Sequence, residues 1–333
     1  MISQPIISAV ITGSLLSGLK ELTVEKLDEV DMVAIHCSTL SQQCSVDNQR
    51  RIITGMGPVE KSDVHLVSIA ENILHVPSLS PTVVLDWKRI SLWEVARFLR
   101  GGNVDAFEML TSPLRQDHET FGESMIELRQ AILPKFVTKE VIKKCGVGAG
   151  GILKQLHKSS TFLHAKQEEM VRVPFKEVKI VCFGLRFALQ ALQMGVVGRT
   201  PSFEVHALLP VLEVALCAPD VDLLKNLVAH RVARTDCVLP PGVGMLQLEA
   251  MVSTMVRKSQ STLVYASLPD SPSEEALALL DGWLLNVAQN AEKTYCTKNA
   301  KKNNFKTVTI VHVKNIFAHP NRESPLVASG YFL

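Results

Sequence analysis

The sequence predicts an α+β protein with three parts: a head of mixed strand and helix over 1–113, a helical body over 114–292, and a basic extension over 293–333. Three observations carry this reading. The opening part holds short β-branched runs bounded by turn residues, the pattern of a mixed sheet with helices. From Glu119 to Ala291 apolar residues recur near helical spacing with short polar joints. The tail then changes again, with Lys293, Lys298, Lys301, Lys302, Lys306 and Lys314 accompanied by almost no acids.

Taken in order, Ile6 to Thr12 reads as an apolar strand that runs into a turn beginning Gly13-Ser14 and closing at Gly18. Val30 to His36 is a second strand by its β-branched content, and Val64 to Ala70 is read as another. Pro81 to Lys88 is a further strand, entered by a proline. Leu92 to Leu99 has helical spacing and stops at Gly101-Gly102. Asn103 caps a short helix through Phe107 and Leu110, which Ser112-Pro113 ends. The body then offers helices over Glu119 to Leu133, Lys139 to Leu156, Lys176 to Val197, Phe203 to Leu216, Leu246 to Lys258 and Ser273 to Ala291. Asp236 to Gly244, with Pro240-Pro241-Gly242, is a loop between helices, and Thr307 to Val313 alternates like a strand.

Composition narrows the class. Across 333 residues the chain is 47% hydrophobic and 20% charged, which is enough apolar side chain for a large buried core. Aromatics are only 5%, so that core rests on Leu, Val, Ile and Ala. A net charge of +2 exerts no global pull on nucleic acid, and any RNA contact has to come from local patches. The seven cysteines are scattered without a Cys-x-x-Cys pair, which reads as reduced thiols in an intracellular, non-secreted protein, with a mitochondrial setting compatible. No apolar run is expected to reach the roughly 18 to 20 residues that span a bilayer, so no membrane partner is expected. The apolar N-terminus lacks a charged n-region and reads as the first core strand instead of a signal peptide.

The chemistry concentrates on the second strand. Glu29 and Asp31 stand two positions apart, and residues at i and i+2 of a strand share a face. They therefore present paired carboxylates to one divalent cation, beside a Gly-Ser turn whose backbone N–H groups can receive a phosphate. That is the minimum for metal-assisted nucleotidyl transfer, with Asp86 in Val-Val-Leu-Asp-Trp-Lys-Arg as the acid available from a neighbouring strand. Lys179 and Arg186 lie seven apart, two turns along one helix face, where they would reach a phosphate or form a structural ion pair. Lys298, Lys301, Lys302 and Lys306 offer non-specific charge to RNA phosphates. The glycines from Gly146 to Gly151 are not a dinucleotide fingerprint, because helix and not strand precedes them; they permit close packing or a bend.

Together these blocks resemble the nucleotidyltransferases of the DNA polymerase β superfamily found beside RNA ligases, the RNA-repair-pathway family. Gly13-Ser14-x-x-x-Gly18 is similar to that family's Gly-Ser-Arg-x-Tyr-Gly turn, and Glu29-Val30-Asp31 occupies its Asp-x-Asp position. Residues 91–110 are similar to its Tyr-x-Leu-Arg-Lys-Phe…Asn-Pro…Glu-Leu-Leu segment, and 136–156 to its Phe-x-Ser…Gly-Tyr-Ala…Gln-Leu helix pair. Lys179 and Arg186 match the ends of its Lys-His-Ala-x-His-Leu-x-Arg helix, and 267–284 its closing Leu-Pro…Pro-Asp segment.

The resemblance implies a polymerase-β-like head, with Gly13, Ser14, Gly18, Lys179 and Arg186 as nucleotide-binding positions. It also implies Asp31, Glu29 and Asp86 as the catalytic carboxylates, with Mg²⁺ and a nucleoside triphosphate as cofactor and substrate if the site is active. The departures matter equally. The turn arginine is Leu15 and its tyrosine is Ser17, Glu29 replaces an aspartate, and both histidines of the Lys-His helix are Ile180 and Phe183. The acid expected just ahead of the Leu92 helix is Arg89, or is displaced to Asp86. An arginine there would oppose a second cation directly. The sequence therefore favours a degraded site that needs no cofactor. Such a protein would serve as a non-catalytic scaffold or RNA-binding subunit. RNA or a ribonucleoprotein complex is the expected partner, with an organellar ribosome or an RNA-processing assembly and their proteins as candidates. The alternative is an active Mg²⁺-dependent enzyme adding a nucleotide to an RNA end.

Overall fold

The first apolar run forms strand β1 (Ile6–Ile11), and the run carrying the paired acids forms β2 (Glu29–His36), antiparallel to it with Ile11 opposite Met32 and Ala9 opposite Ala34. The computed structural model of the chain describes residues 6–13, 27–37, 52–158, 172–200, 202–241 and 243–300. Strand β4 (Val84–Ser91) lies parallel to β2 in continuous register, and β3 (Ile52–Pro58) pairs antiparallel along its other edge. The short β5 (Arg115–Asp117) extends the sheet from the free side of β1. The result is an α+β fold around a mixed five-stranded sheet ordered β3-β4-β2-β1-β5. Sequence patterning missed β3, none of whose described side chains is buried, and β5, which lies just past the expected boundary at Pro113.

Val64 to Ala70 is not a strand. It belongs to helix α1 (Val64–Leu74), which begins where the Asp63 side chain accepts the His65 backbone N–H. The buried residues Leu66, Ile69, Ala70, Ile73 and Leu74 follow a helical period, which outweighs the β-branched composition that favoured a strand. Helix α2 (Leu92–Arg100) starts from Ser91, whose hydroxyl accepts the Glu94 N–H, and α3 (Val104–Thr111) starts from Asn103, as its sequence requires.

The two faces of the sheet bury different sets of residues. On one, Ala9, Ile11, Val30, Met32, Ala34 and Leu85 pack with α1. On the other, Ile7, Val10, Val33, Ile35 and Ile90 pack with α2 and α3. The second core continues without a break into residues expected in the body, down to Trp283, Leu284, Val287, Ala288 and Ala291 of α11 (Glu274–Ala300). The described residues up to Glu292 accordingly belong to one compact unit.

In the body, the stretch expected as one helix over Glu119 to Leu133 is broken. Helix α4 (Gly122–Glu127) passes into a π turn (Leu128–Ile132) and a 3-10 turn (Leu133–Phe136) containing Pro134. Helix α5 (Lys139–His157) runs straight through its glycines. The close approach to α6 (Phe175–Val197) is made at a glycine of α6 instead: a Cβ at Gly184 would fall 3.1 Å from Ile152 of α5, whereas one at Gly148 would make only ordinary contact with the Phe187 ring. The expected helix from Phe203 is divided into α7 (Val205–Leu208) and α8 (Pro210–Ala215) at the proline. Helix α9 (Ala218–Ala233), not foreseen, packs on α6, while α10 (Met245–Tyr265) packs on both α5 and α6.

Helix α6 also corrects an expectation: by length and composition it is long and apolar enough to cross a membrane. It lies inside the body with neighbours on several sides, and its apolar surface serves the core.

His36, the last residue of β2, is 4% exposed. Burial, and secondarily the nearby Arg89 charge, lowers its pKa to about 4. The unfolded chain takes up this proton near the ordinary histidine value, whereas the folded chain resists it until about pH 4. Stability therefore falls as pH drops through this window, by about 3 kcal/mol from this residue. Urea titrations between pH 7 and 4 should show that loss, and His36→Leu should remove most of it.

Candidate metal centre

Parallel pairing of β2 and β4 places Asp31 directly opposite Asp86, and Glu29 opposite Val84. Glu29, Asp31, Val33 and Ile35 share one face of β2, while Asp86, Lys88 and Ile90 share the same face of β4. The carboxylates of Glu29, Asp31 and Asp86, all half-buried, each bring an oxygen within 4.8 Å of the others. Trans oxygen ligands around Mg²⁺ or Ca²⁺ stand about 4–5 Å apart, so the three acids match the span of one hard cation. A donor set of carboxylates alone also suits such cations better than softer metals.

The third side of the cluster is the end of β1. Gly13 has φ +67, and a Cβ added there would fall 2.1 Å from Asp31 Oδ2. Only glycine lets the backbone lie this close to the carboxylate in that conformation. Thr12 donates its N–H to the Asp31 carbonyl at 2.9 Å, and Gly13 donates its own to Glu108 Oε1 at 3.0 Å.

The surrounding charges divide by face. Burial and the neighbouring Glu29 raise the Asp86 carboxyl above the ordinary carboxylate range, against the opposing pull of Lys88. Burial lowers the Lys88 ammonium, while Asp105, Glu94 and Asp86 pull it back up. Arg89 lies on the other face of β4. It bonds Asp63 at 3.1 Å and sits 5.8 Å from the Trp87 ring centroid. The expectation that Arg89 would stand in the place of a metal-binding acid is therefore corrected: strand alternation turns it away from Asp86.

The remaining expected residues separate. Arg186 is 3% exposed, pairs with Glu108 at 3.5 Å, and lies 5.2 Å from the Phe183 and Phe187 ring centroids. It takes the structural ion-pair role that its sequence position left open. Lys179 is half-buried, two turns earlier on α6. Ser14, Gly18, Lys301, Lys302 and Lys306 lie outside the described residues, as does the side chain of Lys298.

Sequence reading missed Glu108, Lys88 and Asp105. The signal for Glu108 was present, because it falls four residues after Val104 on the inward face of α3, where a charge needs a partner. The body also reaches the start of β2. Arg234, in the left-handed conformation at the end of α9, pairs with Asp28, and the buried Arg231 feels the charges of Asp28 and Glu29. The described cysteines 37, 145, 182, 217 and 237 are thiols, and burial pushes those of Cys37, Cys145 and Cys182 up to about 12.

No protein-family model, curated protein or solved structure matches this chain.

Asp86→Asn should stabilise the cation-free protein, since it removes repulsion from Glu29. It should also abolish the roughly 2–3 kcal/mol of stabilisation expected with a cation at a hundredfold excess over Kd. Thermal melts with and without Mn²⁺ read both effects. Gly13→Ala should cost at least about 1–2 kcal/mol in urea unfolding, from its positive φ alone.

Proposed function

We propose that the head is a polymerase-β-like nucleotidyltransferase domain in which Glu29, Asp31 and Asp86 hold a divalent cation that would in turn engage the phosphates of a nucleoside triphosphate. The activity proposed is transfer of a nucleotide to an RNA end. The observation that carries this reading is the meeting of the three carboxylates beside the Gly13 backbone. The order of sequence blocks shared with the RNA-repair-pathway family supplies the substrate class.

Mg²⁺ in this cluster would organise the triphosphate and the attacking hydroxyl. Asp31, packed against the Gly13 backbone, serves as a fixed ligand. Glu29, a methylene longer than the family's aspartate, reaches the same point from the first position of β2. Asp86, brought in from the neighbouring strand, completes the set as a ligand or as the group that accepts the hydroxyl proton. Lys88, two residues along the same strand face, moderates the negative charge.

A second reading is a non-catalytic scaffold or RNA-binding subunit of a ribonucleoprotein assembly. Arg186 favours it, because a guanidinium committed to Glu108 is not available to a phosphate, and Leu15 and Ser17 offer no substitute in the turn. The sequence ranks this reading first on Leu15, Ser17, Glu29, Ile180 and Phe183 as well as Arg89. With Arg89 on the opposite face, one of those grounds falls and the convergent carboxylates weigh for the first reading.

Calorimetric titration of each nucleoside triphosphate with Mg²⁺ or Mn²⁺ tests the proposal. Metal-dependent binding that disappears in Asp31→Ala, followed by extension of an RNA end, is the expected result. Absence of binding at millimolar nucleotide, with RNA affinity that depends on residues 293–333, would replace it with the scaffold.

A further inference from the structure

The carboxylate cluster is held from behind by a second layer of contacts that originates in the helical body. Where β1 ends, the chain is fixed at successive residues. Ile11 donates its N–H to the Leu114 carbonyl at 2.8 Å and accepts from the Ser112 hydroxyl at 2.9 Å, and Thr12 is held by Asp31. Gly13 follows, with its N–H on Glu108. Glu108 is 7% exposed and meets Arg186 from α6 through its other oxygen, at 3.5 Å. The path from body to cluster is thus Arg186, Glu108, the Gly13 backbone, then the Asp31 carboxylate.

Stability alone is a poor explanation for this pair. The Arg186 contact is single and long, and its Nε and Nη1 find no hydrogen-bond partner among the described residues. A buried ion pair of this quality does not recover the cost of removing two charges from water. What it does achieve is a fixed place for the Glu108 carboxylate, and with it a fixed direction for the Gly13 N–H. If Gly13 moved, Asp31 Oδ2 would lose the surface it packs on, and the oxygen now within reach of Glu29 and Asp86 would be free to turn.

We infer that Glu108 and Arg186 are positioning residues for the cation site: Arg186 seats Glu108, and Glu108 holds the Gly13 backbone against Asp31 so that the three carboxylates stay convergent. This inference rests on the cation-binding reading above. It makes cation affinity depend on how α6 of the body meets α3 of the head.

The test is an electron paramagnetic resonance titration of Mn²⁺ alone against the full-length chain and its variants, at a temperature well below each variant's melting point. Glu108→Ala should weaken Mn²⁺ binding about 10–100-fold, the range for loss of an outer-shell partner. Arg186→Met should weaken it in the same direction, and Arg186→Lys, which restores the charge, should recover most of the loss. If Glu108→Ala does not fold, Glu108→Gln carries the test, since it keeps an acceptor for Gly13 and loses only the charge that Arg186 seats. A lower melting temperature with unchanged Mn²⁺ affinity would overturn the inference and leave the cation site standing. A wild-type chain that binds no Mn²⁺ would overturn both.

Discussion

The constraint on which the rest depends is the register between β2 and β4. Parallel pairing with Asp31 opposite Asp86 puts two acids on one face at one level of the sheet, and Glu29 joins them because it lies two residues back. A slip of one residue would send Asp86 to the face occupied by α1 and bring Trp87 or Leu85 toward the carboxylates. The register is therefore fixed by the same alternation that buries Met32 and Leu85 on one side and Val33 and Ile90 on the other. Packing and charge placement are specified by one choice.

The two halves of the expected architecture depend on each other more closely than a boundary at Pro113 implies. β5 adds to the sheet after that point, α11 returns to bury Trp283 in the core beside α2 and α3, and the Trp283 indole donates to the Ser124 carbonyl at 2.8 Å. Arginines from α6 and α9 reach acids of the head at Glu108 and Asp28. Glu108 and Asp28 thus find their countercharges on helices far away in sequence, which ties the two halves together.

Much of this was legible in the sequence. The strands at Ile6 and Val30 and the helices from Leu92 and Asn103 follow from period and caps. Asp86 is legible only as an acid on a candidate strand, and its meeting with Glu29 and Asp31 comes from the long-range pairing of β2 with β4. Val64 to Ala70 was misread because β-branched content masks a helical period in a short window. β3 was not readable, since its pairing with β4 is long-range and its residues bury little. The side on which Arg89 falls depends on where β4 ends: the strand expected to stop at Lys88 runs on to Ser91, and alternation then reaches Arg89. Glu108 needed knowledge of its partner, which lies 78 positions away on α6 (Arg186).

Helix α6 carries a further consequence. A segment this long and apolar has to pass through synthesis before the body that covers it exists, and at that stage it offers a hydrophobic stretch of membrane-spanning length. Arg186 sits near its midpoint, and an arginine at the centre of such a segment costs about 2.5–3.5 kcal/mol for insertion into a bilayer. Glu177 and Gln190 add polar groups on the same helix. The side chain that pairs with Glu108 in the fold would thus also add to the cost of placing the nascent helix in lipid.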